Sequence, residues 1–236
     1  MRWIWMVALC SMLCWPVGAE AYNVYECPHG GGAETWNNNQ SDILQIDRNG
    51  FPSGSAQLNL FIEAINRWEN IPGSNLNIRY NPNHANADGN VYWSDLTSEI
   101  AWISDEDMVS IQGESNLGVA FGFADLSCNI VAFDILFNAE KNFDYSPPQP
   151  PTTSNLKSEY NGYSFLNTAL HELGHMSLDH TTFYDIMTTN AREGGCPDPG
   201  NHPERTGPDS RKAMRDLYPA SGLETDLAVT SCYVKN

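Results

Sequence analysis

Across 236 residues the chain carries 29 acidic against 12 basic side chains, a net charge of −17 with histidines neutral. Such a balance argues against nucleic acid and anionic membrane surfaces as partners, since a polyanion is repelled and no basic stripe exists to release its counterions. The length suffices for one sizeable core, and no internal repeat or second folding unit is legible.

The first residues read as a leader. Arg2 precedes an apolar run from Trp3 to Trp15 and then Pro16-Val17-Gly18-Ala19, the layout of a secretory signal peptide over residues 1–19, with cleavage after Ala19 or Ala21. The run is too short to span a bilayer, and no later stretch approaches twenty apolar residues. The mature chain is therefore expected to be secreted, extracellular or periplasmic, monomeric and free of the membrane. Cys10 and Cys14 fall inside the leader, which leaves Cys27, Cys128, Cys196 and Cys232 for two disulfides. Three connectivities are open, and Cys27 with Cys128 plus Cys196 with Cys232 is the preferred one.

Residues 20–54 hold Gly30-Gly31-Gly32 and Asn37-Asn38-Asn39 and are expected to be partly irregular, held down by Cys27, with a first strand at Ile43, Leu44 and Ile46. From Ser55, Leu58, Phe61, Ile62, Ile65 and Trp68 recur at helical spacing until Ile71-Pro72-Gly73 stops the pattern, which predicts a helix. Alternation over Asn75–Tyr80 predicts a strand, and Glu99–Ser104 another. Asn86-Ala87-Asp88-Gly89-Asn90 and Ser104-Asp105-Glu106-Asp107 are oxygen-rich. They match no EF-hand loop and read first as polar turns, with Ca2+ as the cation to look for there. Leu117–Ala124 and Asn129–Asn138 predict two strands across a turn containing Cys128. Residues 142–162, with Pro147-Pro148-Gln149-Pro150-Pro151, read as a surface loop. A Gly- and Pro-dense loop spans Thr188–Pro208, and residues 222–236 form a tail anchored through Cys232.

Chemistry is concentrated between residues 165 and 190. Phe165, Leu166, Ala169, Leu170, Leu173 and Met176 recur at spacings of three and four, so an amphipathic helix is predicted, capped by Ser164 or Asn161. On it His171 and His175 lie one turn apart on the same face, the bite a single metal ion needs. Glu172 is offset by roughly 100° and reaches a metal-activated water without ligating the metal. Two such histidines alone are also compatible with an ordinary helix surface. His180, just past the helix end, supplies a third imidazole, with Asp179 as the reserve candidate and Glu193 or Glu204 as more distant ones.

His171-Glu172-Leu173-Gly174-His175, then His180, then Met187 in Tyr184-Asp185-Ile186-Met187-Thr188, resemble the metzincin zinc peptidases, and Leu178-Asp179-His180 is similar to the ending of their matrixin branch. Asp134-Ile135-Leu136-Phe137-Asn138 looks like the strand that precedes the zinc helix there, and Asp209–Pro219 resembles the closing helix. The resemblance implies an α+β fold over residues 55–221. Its parts are a twisted, mostly parallel sheet with an antiparallel edge strand, a backing helix, the zinc helix, a methionine turn and a C-terminal helix. It also implies Zn2+ on His171, His175 and His180, Met187 beneath the metal, and Glu172 as general base of a secreted endopeptidase. A protein or peptide substrate would pair with the Gly118–Phe123 strand. The alternative is a secreted protein that keeps the zinc shell and lacks turnover.

The sequence departs from the family in two respects. The third histidine follows the first by nine residues where the family has ten, and no glycine lies between His175 and His180. Ser177, Leu178 or Asp179 is then expected to adopt the left-handed conformation glycine normally supplies, at about 1–2 kcal/mol. A Cys27 thiolate on the metal, in the manner of the matrixin propeptide, is a remote option, because Glu26-Cys27-Pro28-His29-Gly30 does not match that motif.

Overall fold

The computed structural model describes residues 23–27, 32–36, 43–85, 96–146, 163–180, 186–187 and 208–220. The elements in chain order are β1 (Asn23–Val24), β2 (Thr35–Trp36), β3 (Leu44–Asp47), α1 (Ala56–Glu69), β4 (Tyr80–His84), β5 (Glu99–Ile103), α2 (Asp105–Gln112), β6 (Gly118–Ala124), β7 (Asn129–Asn138), β8 (Phe143–Asp144), β9 (Tyr163–Ser164), α3 (Phe165–Gly174), β10 (Leu178–Asp179) and α4 (Pro208–Leu217). The main sheet runs β2-β7-β5-β3-β4, with β6 added on the other side of β7. Every pair is parallel except β6 with β7, so the fold is α+β with a mostly parallel sheet and an antiparallel strand at its edge. None of the described helices is long and apolar enough to cross a membrane.

The period-two geometry of β7 divides the core. Phe133, Ile135 and Phe137 join the large cluster that also takes in α1 and α3, whereas Leu136 packs with Ala101, Ile103 and Met108 of α2. Burial on both faces explains why Asn129–Asn138 reads as a nearly unbroken apolar run. Helix α1 starts where Ser55 Oγ accepts the Leu58 N–H at 3.2 Å, and it buries Leu58, Phe61, Ile65 and Trp68. Trp68 reaches α3 and donates its indole N–H to the Leu170 carbonyl at 3.0 Å, fixing how deep the second helix sits. At the other end of α3, Phe165 stacks on Trp102 with ring centroids 5.5 Å apart and meets Phe137 at 5.0 Å.

Three expectations change. The alternation over Asn75–Tyr80 buries Leu76 and Ile78 without a ladder, and the strand begins only at Tyr80. The backbone there is satisfied elsewhere: Ser74 Oγ accepts from Leu76 N–H, the Glu69 carboxylate from Ile78 N–H, and the Tyr218 carbonyl from Asn75 N–H. Ser104-Asp105-Glu106-Asp107 is not a turn but the start of α2, with Ser104 Oγ capping the Asp107 N–H at 3.1 Å. Asp105 accepts from Ser115, Asn138 and Lys141, and the first two hold its carboxyl below the usual range. The N-terminal segment is more regular than expected: β3 is the strand anticipated at Leu44 and Ile46, but β2 also joins the main sheet and β1 pairs with β10. Asn86–Asn90, the other calcium candidate, lies outside the described residues, as do residues 1–19 and 222–236.

Candidate metal centre

Helix α3 is positioned by its cap, its core face and its end. Ser164 Oγ accepts the Asn167 N–H at 3.2 Å, and Phe165, Leu166, Ala169, Leu170 and Leu173 are buried. The one-turn spacing then delivers His171 and His175 side by side. His171 Nε2 lies 3.2 Å from His175 Nε2 and 3.1 Å from His180 Nε2, and these three are the one His/Cys/Asp/Glu group able to hold a metal among the described residues. A tetrahedral ion with bonds of about 2.0–2.1 Å sets its nitrogens roughly 3.3 Å apart. The spacing thus fits a small divalent cation.

The outer nitrogens fix the tautomers. His171 Nδ1 is 2.7 Å from the Ile186 carbonyl and His175 Nδ1 is 3.0 Å from the Leu178 carbonyl. A carbonyl only accepts, so each Nδ1 carries the proton and each Nε2 turns a lone pair toward the other. Facing lone pairs repel, and a cation between them removes the conflict. Burial pushes His171 down to about 4 and His175 down to about 3, with the neighbouring imidazoles adding to the effect. Both are neutral at neutral pH, the form that ligates.

Met187 is buried next to His171's carbonyl partner, and its sulfur packs on Gly174. A methyl group at residue 174 would overlap that sulfur and come within 3.0 Å of Trp68 Cζ2. Gly174→Ala is expected to lower stability by about 1–3 kcal/mol, read as a drop in the urea midpoint at unchanged slope.

The short connection from His175 to His180 is spanned without a left-handed residue. None of Ser177, Leu178 and Asp179 has positive φ; the described non-glycine residues that do are Leu96 and Cys128. Instead α3 tightens as it ends, with His175, Met176 and Ser177 N–H groups donating to carbonyls three residues back at 3.1–3.2 Å. The chain then enters β10 directly, pairing Leu178 with Val24 and Asp179 with Asn23. Asp179, the reserve ligand, accepts the His180 N–H at 2.7 Å and is not in the cluster. Inserting a glycine between Ser177 and Leu178 restores the family spacing but slips β10 by one residue and turns His180 to the other face. Weaker binding of a divalent metal than in the native chain is the expected result by chelator competition, and native affinity would refute this account of the turn.

Beside the histidines lies a cleft of about 710 Å³, walled by Tyr25, Glu114, Gly118, Glu172 and Tyr163. His180 faces it and is exposed. Structural zinc sites are closed, whereas catalytic ones keep an open position. Glu172 is buried, and burial pushes its carboxyl up to about 8. A methyl group at residue 118 would sit 3.0 Å from Glu172 Cγ and Oε1, so glycine there lets β6 run close past the carboxylate. No strand covers the outer edge of β6 among the described residues.

Two tyrosines take part that the sequence did not mark for the site, Tyr25 unread and Tyr218 read only as the end of the closing helix. Tyr25 OH is 3.1 Å from His175 Nδ1, and burial, followed by Asp179, Glu172 and Glu34, pushes that phenol up to about 12. Tyr218 OH lies 2.5 Å from Ser177 Oγ and accepts the Trp36 N–H at 2.6 Å, joining the turn below the site to α4 and β2. Cys27 is bonded to Cys128, as the preferred pairing had it, and is not a thiolate on the metal. Cys196, Cys232, Glu193 and Glu204 lie outside the described residues. No protein-family model matches the chain, and no curated protein matches it significantly.

Proposed function

We propose that this chain is a secreted zinc-dependent endopeptidase of the metzincin type, closest in its motifs to the matrixins. The observation that carries the reading is the convergence of three Nε2 atoms, that of His171 lying 3.1–3.2 Å from each of the other two, on the floor of an open cleft, with the Glu172 carboxylate beside them. His171, His175 and His180 hold the ion. Three imidazoles also suit copper, iron or nickel, and zinc is preferred because the proposed hydrolysis needs no redox change. Zinc, when bound, acts as a Lewis acid on the substrate carbonyl and lowers the pKa of water.

The remaining work falls to the protein. No strand among the described residues lies along the outer edge of β6, and an extended peptide added there would place a carbonyl over the histidines. Glu172 takes a proton from water as its oxygen bonds the carbonyl carbon. The C–N bond then breaks, and the same proton passes to the leaving nitrogen. Glu172 must be ionised to begin, and a dication nearby opposes the burial that raises it.

The test uses the full mature chain, loaded with one equivalent of zinc and given an unfolded protein such as casein. Cleavage that stops with a chelator and returns with zinc is expected. One tightly held zinc with no chelator-sensitive cleavage on varied substrates would replace this reading with the binding protein that lacks turnover.

A further inference from the structure

The third ligand is carried by a short strand. His180 is exposed, lies beyond the end of α3, and follows a strand of only two residues. Among the described residues the one strand paired with β10 is β1. β1 in turn is tied to the sheet. Cys27 is bonded to Cys128 at the start of β7, with Cα atoms 5.6 Å apart. The chain folds back so that Cys27 N–H donates to the Gly32 carbonyl at 3.0 Å and Glu34 N–H to the Tyr25 carbonyl at 2.8 Å. It then enters β2, where Thr35 N–H donates to the Cys128 carbonyl at 3.0 Å and the strand pairs in parallel with β7. Between these anchors Tyr25 sets its hydroxyl 3.1 Å from His175 Nδ1, and Val24 packs on the core beside Leu178.

We infer that Asn23–Cys27, tethered by the Cys27–Cys128 disulfide, is a positioning strap for His180, so that the metal affinity of the site depends on a segment far from the metal motif in sequence. This rests on the metal reading above. The strap does for this chain what a longer turn does elsewhere: with one residue fewer between His175 and His180, the direction of the chain after Ser177 is set by pairing with β1. An N-terminal segment with this role is part of the working site and not a piece to be removed. Its Tyr25 and Val24 are positioning residues that act through His175 and β10. Loosening them frees the backbone of Leu178–His180, and ordering it again is charged to each metal-binding event.

Two variants of the full mature chain test this, Cys27→Ser with Cys128→Ser, and Val24→Gly, which leaves the disulfide intact. Zinc affinity is measured by chelator competition, and ligand number by the visible absorption of the cobalt-substituted protein. The expected result is about 10–100-fold weaker zinc in the double serine variant, the range seen for outer partners of metal ligands, and a smaller loss in Val24→Gly. In a His180→Ala background both changes are expected to leave zinc affinity within about twofold, because the residue they act through is gone. Native affinity in Val24→Gly and in a folded double serine variant overturns the strap. An equal loss with and without His180 also overturns it, by showing general destabilisation, and if the double variant does not fold, Val24→Gly decides alone. A wild-type chain that binds no zinc overturns the metal reading itself, a distinct result from zinc bound equally well by all variants.

Discussion

Glu172→Gln is expected to lower kcat on a peptide or casein substrate by about 10²–10⁴-fold, while KM and zinc content stay near their native values. The asymmetry follows from where the side chain sits. Glu172 is one residue past His171 and outside the nitrogen cluster, so its loss removes no ligand. Its carboxylate is buried against Gly118, at the wall between cleft and helix, and glutamine fills that space with the same shape. What glutamine lacks is a site to take up a proton and give it back. Steady-state kinetics with a quenched peptide, beside elemental analysis of the same sample, separates the effects. Native turnover in a zinc-loaded variant would remove Glu172 from the mechanism and leave the endopeptidase reading without its base.

What could be read from the chain was what is local. Helix α1, strand β7, the Ser164 cap and the grouping of the three histidines were legible because each depends on spacings within about ten residues; the structure forms the first three and brings the histidines together. Helix α2 was not legible. It is eight residues long with Met108 as its buried residue, so it has no stripe to show, and its opening serine and acids read equally well as a turn. Around Leu76 and Ile78 the reverse happened: alternation reported burial correctly, yet the ladder is missing because Glu69, Ser74 and Tyr218 take the backbone bonds. Tyr25 and Tyr218 reach the turn after α3 from positions about 150 and 40 residues away in sequence. A single side chain closing such a gap leaves no periodicity. The missing glycine looked like a strained turn for a related reason: the expectation assumed ten-residue geometry, and only the pairing with β1 reveals that a shorter, extended exit serves.

The second large effect is on acid stability, and its sign can be worked out. In the unfolded chain histidine titrates near 6.5, whereas burial holds His171 near about 4 and His175 near about 3 in the fold. Between these values the unfolded state binds more protons than the native one, so metal-free stability is expected to be full above about pH 6.5 and to fall progressively down to about pH 3–4. Several kcal/mol are at stake across the pair, a large part of the 5–15 kcal/mol typical of a domain. Zinc adds stability where the imidazoles are neutral, about 4 kcal/mol at a thousandfold excess over Kd, and the benefit fades as protons compete for the same Nε2 atoms. Urea titrations from pH 7.5 to 4.5, with zinc and with chelator, should show two curves that converge on acidification. Carboxylates also titrate toward the acid end, so the histidine share is isolated by His171→Asn with His175→Asn, whose metal-free stability should depend less on pH between 6.5 and 5 than that of the native chain. Equal slopes in the two proteins would mean that these imidazoles are not held neutral by burial, and with that the ready-made metal site would lose its electrostatic basis.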